Sequence, residues 1–338
     1  MKLRIITLIA IAGMFSVSQA ANSNAGSTAY SFLKIGVGAK SQAMAGAYVG
    51  LADDITSLHS NPAGLVAPVY DLRTPSDFYY EGESDYEQIP LKQIEFKQNR
   101  FIATYISYLV DFQSGFLGYA RKLNDRSSLG ISLQYLDYGS FDRLDESGVP
   151  LGTFSSYDMA LGVTFAKRIN RELSLGITGK FILEKIDSLS SDAMALDIGA
   201  LYRFDDGRTS LGVAIRNFGS QLNGMTDSHK DNLPFLADVG MSHSLRGLPL
   251  TIDADLSIPA DNNVFFAIGG QFEAFDPFFL RVGWTSMGQD YKTGANNDSF
   301  GGFAGGFGYK YQDYAIDYSY SSYADIGNVH RVSFSVEF

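Results

Sequence analysis

Apolar and polar residues alternate with a two-residue period through most of the chain. In the closing stretch "RVSFSVEF", Val332, Phe334, Val336 and Phe338 fall on one face and Arg331, Ser333, Ser335 and Glu337 on the other. The same arrangement sets Leu129, Ile131, Leu133 and Tyr135 against Gly130, Ser132 and Gln134, and Met159, Leu161, Val163 and Phe165 against Asp158, Ala160, Gly162 and Thr164. Tyr314, Ile316, Tyr318 and Tyr320 oppose Asp313, Ala315, Asp317 and Ser319. Alternation of this kind predicts strands, because successive side chains leave a strand on opposite faces. One face is consistently large and apolar; the other is small, polar or charged. A soluble sandwich puts the apolar face in its core, whereas an outer-membrane barrel turns it to lipid and lines its lumen with the polar face.

The connections separate these readings. Short links fall at 124–126, 168–172, 205–208, 245–249, 274–277 and 310–313, and mostly longer polar segments between them at 139–154, 186–192, 218–234, 258–263, 286–299 and 321–328. Short turns at one rim and longer loops at the other are the porin pattern, with the short side periplasmic. Counting strands back from Phe338 and adding "FIATYISYL" at 101–109 gives fourteen. The expectation is an all-β, 14-stranded antiparallel transmembrane β-barrel over residues 101–338, with both termini periplasmic as an even strand number requires.

The region before it differs. "MKLRIITLIAIAGMFSVSQA" has Lys2 and Arg4, an apolar run from Ile5 to Val17, and small residues at Ser18 and Ala20. That order reads as a secretory signal over residues 1–20, the run being too short to span a bilayer. Residues 21–100 then form an N-terminal plug or seam segment with short helical turns and an acidic loop. Small residues crowd "GVGAKSQAMAGAYVGLADD" at 36–54, where Gly and Ala allow close backbone packing. In "SLHSNPAGL" at 57–65, Asn61 suits a helix cap and Pro62 the first helical position, with Ala63 and Gly64 completing the motif. "SDFYYEGESDYEQ" at 76–88 is acidic and aromatic, the composition of solvated loop.

Composition fits this picture: 35 Gly, 20 Tyr and 25 Phe against one Trp, with 45% hydrophobic residues. The absence of cysteine excludes disulfides, thiolate metal sites and a lipidated cysteine anchor, and the net charge of −11 argues against nucleic acid as a partner. "GVGAKS" at 36–41 has Ala39 where a phosphate loop needs glycine. The histidines His59, His229, His243 and His330 lack ligand spacing, so no metal site or cofactor is expected. His243 lies between two serines without an orienting third group, so no enzyme activity is expected either. The glycines of "GGFAGGFG" at 301–308 alternate with Phe303 and Phe307, which suits an inner face making room for a plug or permitting a bend. By the same alternation Lys180, Glu184, Asp197, Arg203, Arg216, Asp253, Asp255, Arg281, Lys310 and Asp317 face the lumen. Mixed signs on adjacent strands favour a lumen held by ion pairs over a ligand path.

"AYSFLKIGVGAKSQAMAGAYVGLADDITSLHSNPAGL" resembles the N-terminal signature of the PorV/PorQ family of outer-membrane proteins, themselves similar to FadL-type transporters of hydrophobic compounds. "ALDIGALYRF", "LGVAIRNFG", "FLRVGW" and the last 25 residues extend the resemblance over nearly the whole chain. The family usually has an aromatic pair before Asn-Pro; here His59 and Ser60 stand there. The resemblance implies a fourteen-stranded barrel in the outer membrane of a Gram-negative bacterium, with Asn61, Pro62, Ala63 and Gly64 as plug or seam residues. Its partners would be outer-membrane lipid and the barrel assembly machinery, for which terminal Phe338 resembles the recognition signal. Two functions follow from it. PorV-like relatives are accessories in type IX protein secretion, acting on secreted or surface proteins, and FadL-like relatives admit hydrophobic small molecules. A charged lumen with only scattered apolar members such as Ile182 and Leu201 favours the accessory role.

Overall fold

The computed structural model describes residues 24–71, 92–226, 230–275, 277–294 and 298–338. The expected signal at 1–20 and the acidic stretch at 76–88 lie outside the described residues.

Strands β1 (Val69–Asp71) and β2 (Lys92–Ile94) pair as a small antiparallel ribbon of their own. The barrel begins at β3 (Asn99–Ser107) and continues through β4 (Gln113–Asn124), β5 (Ser127–Leu144), β6 (Pro150–Arg168), β7 (Leu173–Ile186), β8 (Leu189–Arg203) and β9 (Thr209–Asn223). Its second half is β10 (Leu236–Ser244), β11 (Leu250–Pro259), β12 (Phe265–Phe275), β13 (Phe278–Thr285), β14 (Phe303–Tyr311), β15 (Tyr314–Ser322) and β16 (Asn328–Glu337). Each pairs antiparallel with the next and β16 closes on β3, giving a closed up-and-down barrel of fourteen strands. The seam is tied at its end by reciprocal backbone bonds of 2.9 Å between Asn99 and Phe338.

The two-residue period is realised as expected. In β16, Arg331 and Ser333 are buried inward while Val332 and Phe334 are exposed outward, and in β5 Gly130, Ser132 and Gln134 are buried while Leu129 and Ile131 are exposed. Outward aromatics form two belts. Tyr202, Phe204, Phe278, Tyr311 and Tyr314 lie near the short turns, and Tyr105, Tyr135, Phe218, Phe303 and Tyr320 near the opposite rim, with Leu, Ile and Val between. Such an outer surface has its low-energy setting in a bilayer.

Two expected loops are corrected, and a third, 218–234, gives its first six residues to β9. Residues 139–154 are mostly strand: β5 and β6 continue past the ends of their neighbours as a ribbon, pairing Ser140 with Ser155 through Arg143 with Gly152. A break in register at Gly139, whose φ is +79°, lets the polar stretch keep pairing while it leaves the wall. Residues 186–192 likewise belong to β7 and β8, except for the turn at Asp187 and Ser188.

Residues 24–71 occupy the lumen. They enter at the loop rim, where Ala29 N–H donates to Asn232 O at 3.0 Å and Lys34 pairs with Asp261 at 2.6 Å. Burial on its own raises the Asp261 carboxyl, but Lys34 and Thr28 hold it below the usual carboxylate range. The segment leaves at the other rim, where Leu65 O accepts from Arg100 at 2.6 Å and Tyr70 lies under the Arg203 guanidinium at 5.9 Å. This corrects the expectation of two periplasmic ends. The barrel's own ends, Asn99 and Phe338, do share the short-turn rim, but residue 24 stands at the loop rim, because strand parity fixes only the strands. Two short helices lie along this path, α1 (Ala39–Ala43) and α2 (Ser57–Ser60).

The segment is held by burial and by close backbone approach. Tyr30, Phe32, Leu33, Ile35 and Val37 pack with Ile106, Phe116 and Leu136 of the wall, while Met44, Tyr48 and Leu51 pack with Leu201. Each fully buried apolar side chain of this size contributes about 1.5–3 kcal/mol. Wall glycines meet the segment's backbone directly: a Cβ on Gly212 would lie 1.9 Å from Val49 O, and one on Gly176 2.4 Å from Pro62 C. In the glycine-rich 301–308 stretch, a Cβ on Gly306 would lie 2.8 Å from that of Ala43.

Candidate functional site

The lumen below the loops is filled by the N-terminal segment and by paired charges. Lys180 on β7 meets Asp197 on β8 at 2.6 Å, Arg216 on β9 meets Asp238 on β10 at 2.9 Å, and Arg281 on β13 meets Asp317 on β15 at 2.6 Å. Asp255 accepts the Tyr48 and Val49 backbone N–H groups at 2.7 and 2.8 Å, so it docks the segment to the wall. Asp253 lies fully buried beside Asp255 and Ser242. Arg203, also buried, stacks on Tyr70, while Lys310 is exposed at the short-turn mouth. In that mouth a charged cavity of about 210 Å³ includes Lys40, Asp53, Arg203, Lys310 and Asp317. Lys40 of the false phosphate loop is bound to Asp53 at 2.7 Å. Among the described residues no group of three or more His, Cys, Asp or Glu is placed to hold a metal ion.

Asn61 sits at the centre of the segment and is fully buried. It caps the 3-10 turn Pro62–Leu65 by accepting from Ala63 N–H at 3.2 Å, and its side-chain amide donates to Val49 O at 3.0 Å and to Ala200 O of β8 at 3.2 Å. One side chain therefore joins two stretches of the segment to the barrel wall. Pro62 and Ala63 pack over Gly176 and Gly199, and Gly64 fits where a Cβ would meet Ala52 O at 2.2 Å. Phe338 is 59% exposed on the outer surface, and only its backbone enters the seam.

Above the segment lies a cavity of about 560 Å³ that the strand alternation does not reveal. Its upper wall is aromatic and apolar, from Tyr108, Phe112, Tyr138, Phe235, Tyr291 and Tyr323, all at the loop rim. Tyr291 and Tyr323 lie tilted with ring centroids 4.6 Å apart, and Tyr108 meets Tyr323 edge-on at 6.4 Å. Its floor is the N-terminal segment, with Gln42, Thr56, His59 and Ser60 beside the Arg216–Asp238 pair. The inward face of the strands is polar, as the alternation indicates; the apolar surface comes from loop residues far apart in sequence.

The cavity meets the wall where the ladder between β9 and β10 stops. That ladder ends at the Arg216–Leu236 pair, yet β9 continues along β8 to Asn223 with a register shift between Leu196 and Ile198. Asn217 marks the bulge, with φ +58° and its side-chain amide donating to Pro234 O at 3.1 Å. Beyond Arg216 the wall on this side is therefore the 230–235 segment rather than a strand. It is held by Gln221, whose Oε1 accepts from Asp231 N–H at 2.8 Å, and by edge-on contact of Phe218 with Phe235. Arg216, Pro234, Phe235 and Leu236 all line the cavity at this place.

A closed fourteen-stranded antiparallel barrel with aromatic belts, an apolar exterior and an occupied lumen defines the class: an outer-membrane β-barrel. Among solved structures it is similar to the toluene transporter TodX of P. putida, at 14% identity over 90% of this chain and 99% of that one, with a TM-score of 0.56. It is also similar to a Pseudomonas aeruginosa FadL homologue, at 12% identity over 89% and 98% of the two chains, with a TM-score of 0.52. At these identities the likeness is one of fold. No protein-family model matches the chain, and no curated protein matches it by sequence.

Proposed function

We propose that this barrel admits hydrophobic small molecules through the outer membrane, taking them into the loop-side cavity and releasing them sideways where the β9–β10 ladder ends. The observation that carries the reading is the cavity itself: about 560 Å³, aromatic above, closed below by the N-terminal segment and bounded at one side by an interrupted ladder. The way straight down runs into buried ion pairs and a packed segment, which an apolar solute has no reason to enter. The likeness of fold to a toluene transporter supports the same direction. The charged lumen, which from sequence favours a secretion accessory, is accounted for by the docking of the segment. The ribbon at 139–155 suits a protein partner, and it keeps the accessory role as the second reading.

Uptake tests the proposal. Cells of a strain lacking the protein, given either the natural chain or a variant whose cavity is filled by Ser60→Trp, are supplied with labelled toluene at low concentration. Faster uptake with the natural chain and none of that gain with the variant supports it, provided the variant folds and inserts equally. Equal uptake in all three strains refutes it.

A further inference from the structure

The cavity is apolar at one end only. Its floor carries His59, which is 9% exposed and meets Phe116 edge-on at 6.3 Å, and neither ring nitrogen has a hydrogen-bond partner among the described residues. His59 lines the cavity, and its ring nitrogens are not among the polar atoms sealed inside the protein, so the imidazole presents a donor and an acceptor to whatever occupies that space. Its neighbours do not supply a partner. Ser60 Oγ donates to Thr56 O at 3.4 Å, and the Arg216 guanidinium is engaged by Asp238. The side chain is also held in place: α2 fixes its backbone, with His59 N–H donating to Thr56 O at 2.9 Å, and Asn61, two residues on, is bolted to Val49 and Ala200. A donor so held has the preorganisation that a binding group needs.

From this geometry we infer that His59 reads a hydroxyl group, and that the preferred ligand is an apolar molecule carrying one alcohol or phenol oxygen, seated head down on His59 with its body among Tyr108, Tyr291 and Tyr323. The inference rests on the transport reading and deepens it by naming the substrate class. A neutral imidazole offers one N–H donor and one lone-pair acceptor, and a hydroxyl offers the converse of each. A carboxylate fits less well, because it can use only the imidazole N–H and has no proton to offer the lone-pair nitrogen. A bare hydrocarbon fills the same space but leaves the imidazole unpaired in a site then closed to water, which costs affinity.

The test compares toluene with p-cresol, the same ring and methyl group with one hydroxyl added. Binding of each to the full-length protein in detergent is measured by isothermal titration for the natural chain and for His59→Phe and His59→Gln. Heat-modifiable gel mobility confirms that each variant is folded. The expected result is p-cresol bound about tenfold more tightly than toluene by the natural chain, the factor one satisfied buried hydrogen bond confers. His59→Phe should abolish the preference while keeping or improving toluene binding, and His59→Gln, which retains a donor and an acceptor, should keep part of it. If both ligands bind the natural chain equally, or the preference survives His59→Phe, this inference is overturned and the transport reading stands. If neither binds, both fall.

Discussion

Replacing Gly212 by alanine should expel part of the N-terminal segment from the lumen. The added Cβ would lie 1.9 Å from Val49 O and 2.5 Å from Val49 C, both backbone atoms that cannot rotate away. Reaching ordinary contact near 3.4 Å requires Val49 to move by roughly 1.5 Å. That displacement strains the bonds on either side of the Val49 peptide: Val49 N–H to Asp255 at 2.8 Å and Asn61 to Val49 O at 3.0 Å. Two bonds at about 1 kcal/mol each, added to an overpacking cost of about 1–3 kcal/mol, weaken docking by about 3–5 kcal/mol. Hydrogen exchange of the natural and variant proteins in detergent reads this directly. Amides of residues 47–66 should exchange about 10²–10⁴ times faster while the barrel ladder keeps its protection. Gly179→Ala is the matched control, since nothing lies within 4 Å of the Cβ it would add. If Gly212→Ala exchanges no faster than Gly179→Ala, the segment is not seated on the wall glycines as described.

Asn61→Ala removes three hydrogen bonds rather than a cap alone, so it should cost about 3 kcal/mol instead of about 1 kcal/mol. Protease cleavage between residues 40 and 70 should accelerate while the barrel survives, and unchanged cleavage would contradict the bonding. Because the chain has no cysteine, Ser27→Cys and Arg171→Cys report topology cleanly. A membrane-impermeant maleimide on intact cells should label position 27 at the loop rim and spare position 171 in a short turn, and the reverse pattern would mean that the segment is threaded the other way. Deleting Phe338 removes both backbone bonds to Asn99 at the seam, so the folded fraction by heat-modifiable mobility should fall more than for Phe334→Leu, which loses a ring contact with Tyr314 but leaves the seam bonded; equal effects would contradict a special role for the last residue.

The strands were legible because lipid outside and a packed lumen inside impose the same period of two on nearly every one of them, as Leu129 to Tyr135 and Arg331 to Phe338 show. The rims were legible because turn residues cluster. Other features escaped for physical reasons. The ribbon at 139–155 mixes polar residues with Phe141, Leu144, Leu151 and Phe154 and keeps no one-sided alternation, so its pattern matches loop while its backbone still pairs. The position of residue 24 depends on contacts such as Lys34 with Asp261, 227 residues apart, and no local pattern encodes them. The cavity is built from Tyr108, Phe235, Tyr291 and Tyr323, one or two residues from each of several loops, so no periodicity gathers them. His59 was visible as a departure from the aromatic pair that the family resemblance led one to expect, but only the fold shows that it stands on the cavity floor.

Transport of hydrophobic solutes and assistance to protein secretion make opposite demands on one strain, so a clean deletion is the most direct test. In the deletion strain and its complemented parent, uptake of a labelled hydrophobic aromatic solute and the surface proteome are measured in parallel. The account predicts impaired uptake with an unaltered set of surface proteins, restored by the natural chain. Surface proteins lost while uptake stays normal would contradict it.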